Sequence, residues 1–182
     1  MAKILIINPN KWGRGITFLW MASHSALLKK YNHQVKLFDC TFYENWSQNE
    51  IKFNSNNKMY KRSDYDNYIK YKQDDVKTDL QKTINSFSPD IIFWSSIFSH
   101  IHSEGEYVNI QYGHDLLNDF NLSNIKKITG GIQATADHEK ILSLFKNIDY
   151  LIRGETEMVL LEIANKLDSK VSIEDTNGLA FM

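Results

Sequence analysis

The sequence predicts an α/β fold built on an open parallel sheet with helices on both faces, and three observations carry that reading. Short runs such as KILII at 3–7 and IIFW within DIIFWSS at 90–96 are compact and apolar, as strands buried on both faces are. Longer stretches with apolar residues at helical spacing separate these runs. The two kinds of segment alternate along the chain, and that alternation builds parallel sheets through crossover helices.

The first strand, KILII, is ended by Asn8 and Pro9. Residues 16–30, ITFLWMASHSALLKK, read as a largely buried helix closed by two lysines and Asn32. The strand QVKLFD at 34–39 completes a β-α-β unit. Val76, Leu80, Ile84 and Phe87 recur at helical spacing, and Pro89 stops that helix before DIIFWSS. A helix around 104–120, the strand IKKIT at 125–129, a helix near 138–146, the strand DYLIRG at 149–154 and a helix over Glu157–Leu167 follow. The count is five parallel strands and five helices in one domain spanning 1–182, a length that can bury one substantial core.

Residues 41–75 break the rhythm. Tyr43, Tyr60, Tyr65, Tyr68 and Tyr71 stand there among many Asn, Asp and Lys residues, in a connection longer than compact domains usually carry. Such an insertion either caps a ligand or meets a partner, or it is irregular surface held down by a few aromatics.

Composition narrows the function classes. With 21 basic and 22 acidic residues the chain has no electrostatic signature of a nucleic-acid or anionic-membrane binder. No apolar run approaches the ~20 residues that cross a bilayer, and MAKILIINPN lacks the apolar core and cleavage site of a secretory signal. A soluble, cytoplasmic protein is expected. Cys40 is the only cysteine, which rules out an internal disulfide and a CxxC pair and reads as a small buried side chain near a strand end.

In an open parallel sheet, ligands sit outside the carboxyl ends of the strands. The exits here read NPNKWGRGIT, DCTFY, SSIFSHIH, GGIQAT and RGETE. Gly13 and Gly15 in the first lack the third glycine of a dinucleotide fingerprint, Phe18 standing in its place, and no phosphate loop of the GxxxxGK(S/T) type exists. Asp39, at the end of the second strand, stands where an acidic residue often holds a ribose, and alone it is a weak signal. Ser95 and Ser96 can donate to a flat group inserted beside the sheet, or cap local backbone. Gly130 and Gly131 either let a bulky ligand lie against the backbone or satisfy a turn with positive φ. His100 and His102 form an HxH with Glu104 and Glu106 behind; these ligand types suit zinc or iron, but without two further placed ligands the signal is weak, and solvent-exposed loop histidines are the alternative. His24, His114 and His138 fall in helical stretches without triad-like company, and there is no GxSxG. Glu155 and Glu157 suit the positive end of the last helix.

Order and spacing say more than any single motif. The NP turn, VKLFD, the serines after the third strand, TGGIQAT, IDYLIRGETE and NGLAF, in this order, resemble the cobalamin-binding domain that precedes the catalytic domain of cobalamin-dependent radical S-adenosylmethionine enzymes. The resemblance covers residue 3 to about 182, the insertion apart. It implies a flavodoxin-like, Rossmann-like three-layer sandwich with strand order 2-1-3-4-5 and cobalamin over the carboxyl edge.

By that resemblance the nucleotide tail of the cofactor enters a groove beside the third and fourth strands, near Ser95, Ser96, Ile97, Gly130 and Gly131. Ile132, Ala134 and Thr135, then Asp39, Gly154 and Glu155, extend the cofactor-binding set. The turn holding Asn10, Lys11, Trp12, Gly13, Arg14, Gly15 and Thr17 closes the other side. Two departures stand out. The DxHxxG motif that supplies a histidine to cobalt is missing, and the single cysteine cannot ligate a 4Fe-4S cluster. S-adenosylmethionine and the cluster therefore belong to a catalytic domain outside these residues, in cis or in trans, and the chain reads as a carrier for methyl transfer without catalytic residues of its own. A domain that keeps the fold without the cofactor, for partner or substrate recognition, is the alternative. A receiver domain fits poorly, because it needs acidic residues where NPNK and SSIF stand.

Overall fold

The computed structural model describes residues 1–11, 19–47, 70–95 and 107–182. The strands are β1 (Lys3–Asn8), β2 (Gln34–Asp39), β3 (Ile91–Ser95), β4 (Lys126–Gly130), β5 (Tyr150–Ile152) and β6 (Leu179–Ala180). The helices are α1 (Leu19–Lys30), α2 (Val76–Phe87), α3 (Val108–Leu117), α4 (Ile132–Ala136), α5 (His138–Leu144) and α6 (Thr156–Asp168). One sheet has the order β2-β1-β3-β4-β5-β6.

Five strands run parallel in the expected order, and the expected five-stranded sheet is corrected to six. β6 adds antiparallel to β5, with Leu151 opposite Ala180 and Ile152 opposite Leu179. Its cause is the turn at Asn177–Gly178. Gly178 has φ +86°, which a side chain rarely adopts, and the reversed chain is pinned where the Arg153 amide donates to the Gly178 carbonyl at 2.8 Å. The sequence pattern missed this strand because two residues carry no periodicity.

Alternation along the central strands explains the three layers. Leu5, Ile7, Ile92, Trp94 and Leu151 pack on one face with Val76, Leu80 and Ile84 of α2, Ile110 and Leu116 of α3, and Ala134 and Ile141 of α4 and α5. Ile4, Ile6, Ile91, Phe93, Ile128 and Ile152 pack on the other with Trp20, Met21 and Leu28 of α1 and Leu160, Leu161 and Ile163 of α6. At ~25 cal/mol per Å² of apolar surface removed from water, these two layers are the main source of stability.

Local chemistry sets the helix ends. Asp75 caps α2 by accepting from the Thr78 amide at 2.7 Å, which holds its carboxyl below the usual range. Ser88 ends the helix at φ +50° ahead of Pro89. The GGIQAT segment, expected as an exit loop, contains α4: the chain turns at Gly131 (φ +120°), makes one helical turn and breaks at Asp137.

Both described ends of the long insertion are tied to the body. Tyr43 pairs with Lys72 in an isolated bridge, and its ring stacks on Phe38 at 5.7 Å and 23°. Tyr43 is buried, and burial together with Asp79, whose carboxylate accepts its hydroxyl at 3.2 Å, raises its pKa well above that of free tyrosine. It is therefore a core residue. Tyr60, Tyr65 and Tyr68 lie outside the described residues.

Candidate functional site

The strand registers bring the predicted exits to one edge. Asn8 is level with Asp39, Ser95 with Gly130, and Gly130 with Ile152, so all five parallel strands end on the same side of the sheet. Asn10, Lys11, Asp39, Ser95, Gly130, Gly131, Ile132, Ala134, Thr135, Gly154 and Glu155 are on or beside this edge. Trp12, Gly13, Arg14, Gly15, Thr17, Ser96, Ile97 and the His100–His102 pair lie outside the described residues.

A polar knot closes the β1 and β2 exits. Asp39 Oδ1 accepts from the Asn8 amide at 2.9 Å, from the Thr41 backbone amide at 3.0 Å and from the Thr41 hydroxyl at 2.6 Å. Thr41 Oγ1 in turn accepts from Asn10 Nδ2 at 3.2 Å. Asp39 thus spends one carboxylate oxygen on holding two exits together. Cys40 beside it is fully buried, and burial pushes its thiol well above the ordinary range, so it is a packed, unreactive group.

Lys11 follows the knot. Its ammonium lies 4.0 Å from the ring centroid of Trp46 and 4.6 Å from that of Tyr112, and the two rings meet edge to face at 6.5 Å. Trp46 Nε1 donates to the Pro9 carbonyl at 3.2 Å. Partial burial lowers the Lys11 pKa, with Asp115 opposing the shift, while the two aromatic faces favour the charged form. Sequence reading placed Lys11 here and missed Trp46 and Tyr112, because partners 35 and 101 residues away leave no local signal.

The two glycines of the β4 exit serve different needs. A β-carbon on Gly130 would stand 2.5 Å from Thr156 Cγ2 and 3.1 Å from Ile152 Cβ, so Gly130 is bare because the start of α6 packs onto it. Gly131 is bare because its φ of +120° turns the chain off the sheet into α4. Thr135 then ties the fourth exit to the fifth: its hydroxyl donates to the Gly131 carbonyl at 2.9 Å and accepts from the Gly154 amide at 2.8 Å. Ser95 Oγ reaches the Gly130 carbonyl at 3.5 Å. Ala134 points into the core, and Ile132 is 75% exposed at the edge.

A cavity of about 540 Å³ opens beside Thr135 and Gly154, lined also by Arg153, Thr176, Asn177 and Leu179. Nothing lies within 4 Å of the place a Gly154 β-carbon would take. The arrangement offers backbone, hydroxyl and amide groups with one guanidinium, which suits binding of a polar ligand. Among the described residues, no three His, Cys, Asp or Glu side chains are grouped to hold a metal ion.

No family model matches the chain. It is 28% identical over 187 residues to cytidylyl-2-hydroxyethylphosphonate methyltransferase of Streptomyces wedmorensis, covering 98% of this chain and 31% of that protein. Two solved structures of TsrM from Kitasatospora setae, a radical S-adenosylmethionine methyltransferase, share its architecture at 17% identity. One, with cobalamin and a 4Fe-4S cluster bound, matches 99% of this chain and 27% of its own with a TM-score of 0.67. The other, with tryptophan substrate and a SAM analogue bound, matches 100% and 28% with a TM-score of 0.66. The chain has the fold of part of a radical S-adenosylmethionine methyltransferase. It spans less than a third of the length of each of these relatives.

Proposed function

We propose that the chain is a cobalamin-binding domain that presents its cofactor to a radical S-adenosylmethionine catalytic domain for methyl transfer. The observation that carries this reading is the match in fold, over 99% of this chain, to a methyltransferase solved with cobalamin, combined with a carboxyl edge whose fourth and fifth exits are bare of side chains at Gly131 and Gly154.

The residues present fit a large, flat, amide-rimmed group. Gly131 and Gly154 keep side chains off the edge, the neighbouring cavity offers Thr135, Asn177 and backbone groups to polar substituents, and Ile132 offers an exposed apolar contact. When bound, cobalamin supplies a cobalt centre able to carry a methyl group, and the protein supplies position and shielding. The knot of Asn8, Asp39 and Thr41 holds the first two exits in fixed relation, and Thr135 does the same for the last two. The first exit, NPNK, carries no histidine, so this turn offers no imidazole to cobalt.

Hydroxocobalamin and methylcobalamin titrations of wild type and Gly131→Leu, followed by visible absorption, test the proposal. Saturable binding that the leucine abolishes is expected. A folded protein that binds neither cobalamin overturns the reading and leaves a scaffold used for partner or substrate recognition.

A further inference from the structure

His24 is a buried imidazole that none of the site residues named so far explains. It stands on α1, 1% exposed, stacked on Phe93 at 5.2 Å and edge-on to Trp20 at 5.7 Å. Its Nδ1 lies 2.6 Å from the Trp20 carbonyl, which can only accept, so Nδ1 carries the proton. Nε2 of the neutral ring is then an acceptor, and the Thr156 hydroxyl 2.8 Å away donates to it. With its hydrogen committed, Thr156 is held in the orientation that presses Cγ2 onto Gly130. One residue on, Glu157 accepts from the Ser23 hydroxyl at 3.1 Å. Helix α1 thus grips the first turn of α6 at two successive residues, and α6 bears on the β4 exit through one methyl group.

We infer that His24 is a positioning residue for the β4 exit: through Thr156 it fixes the seating of α6 on Gly130, and with it the turn at Gly131 beside which the ligand lies. The inference rests on the cobalamin reading for the identity of the ligand, and on geometry alone for the link itself. The groups facing the imidazole are Trp20 and Ser23 from α1, Phe93 from β3, and Thr156 and Glu157 from α6, whose carboxylate stands 3.8 Å from Nδ1. Burial holds the ring neutral against the opposing pull of the Trp20 carbonyl and Glu157. Protonation would turn Nε2 into a donor, so the Thr156 hydroxyl would lose its acceptor and have to rotate. Acid is therefore expected to loosen this turn before it unfolds the domain.

Four variants test this. His24→Leu removes both ring bonds, Thr156→Val keeps the methyl group and removes the hydroxyl, and the double variant combines them. His24→Gln restores one donor and one acceptor without a titrating ring. Hydrogen exchange of the segment 129–135 in cofactor-free protein is expected to quicken in the first three and to return towards wild type in His24→Gln, with α2 unaffected. Hydroxocobalamin affinity is expected to fall about tenfold in His24→Leu and in Thr156→Val, the scale of one buried hydrogen bond, no further in the double, and to return towards wild type in His24→Gln. Wild-type affinity should decline only as pH falls below the ordinary histidine range, where the buried ring takes up its proton, and that of His24→Gln should not. Unchanged exchange over 129–135 or affinity within twofold of wild type in His24→Leu and Thr156→Val, or additive losses, would overturn the inference. A protein that binds no cobalamin at all sinks the cofactor reading only, and the exchange arm then decides the link. Should His24→Leu fail to fold, Thr156→Val carries the test.

Discussion

Lys11 and Trp46 are joined face to charge, the ammonium 4.0 Å from the ring centroid, and this contact fastens the start of the long insertion to the first strand exit. Trp46 adds a hydrogen bond to the Pro9 carbonyl. Trp46→Ala removes both, at about 0.5–2 kcal/mol for the cation–π pair and about 1 kcal/mol for the hydrogen bond. A loss of roughly 1.5–3 kcal/mol is expected from urea unfolding, whereas Trp46→Phe should retain part of the cation–π share.

Gly130 and Thr156 should behave as a coupled pair. Gly130→Ala places a methyl group 2.5 Å from Thr156 Cγ2 and is expected to cost about 1–3 kcal/mol through overpacking. Thr156→Ser removes that Cγ2 and keeps the hydroxyl. The double variant Gly130→Ala/Thr156→Ser should therefore be more stable than the sum of the single losses, and additive losses in a double-mutant cycle would show that the two are not in contact.

Gly113 sets helix propensity against packing. An alanine there gains up to ~1 kcal/mol of intrinsic helix preference, yet its β-carbon would lie 2.3 Å from Nε1 of the buried Trp94 indole. The indole is enclosed by core and has nowhere to move, so packing wins. Gly113→Ala should be destabilised by roughly 1–3 kcal/mol, read as a lower midpoint in thermal unfolding and a changed Trp94 fluorescence.

The pH dependence of stability follows from His24. Burial lowers its pKa below the ordinary histidine value of 6.5, so below that pH the unfolded chain takes up a proton that the folded chain resists. Its stabilising contribution is complete above about 6.5 and is lost progressively as pH falls. Urea midpoints measured from pH 7.5 to pH 5 should decline, and His24→Gln should flatten that part of the slope. Equal slopes in the two proteins would mean that another group governs it.

Most of the framework was legible because two-face burial leaves continuous apolar runs. Ile4–Ile7 and Ile91–Trp94 announced their strands, Val76, Leu80 and Ile84 their helix, and Pro9 and Pro89 their boundaries. What stayed hidden depends on contacts between distant residues. The reason for Gly130 is Thr156, the partners of Lys11 are Trp46 and Tyr112, and His24 reads as an ordinary helical residue until α6 is laid beside it. Short elements were hidden too: α4 and β6 are five and two residues long, below the length at which any period can be recognised.

The antiparallel strand β6 bears on how the molecule behaves in company. A sheet of parallel strands ends in two rows of unpaired amides and carbonyls, each a template for a neighbouring chain. Pairing of Leu151 and Ile152 with Ala180 and Leu179 consumes one of those rows. The borders are then β6, only two residues long, and β2, where Lys36 and Asp39 put charge where a docking strand would have to lie, with Leu37 exposed between them. The fold can therefore keep a long, strongly apolar sheet in water with one border too short to template a neighbouring chain and the other carrying charge.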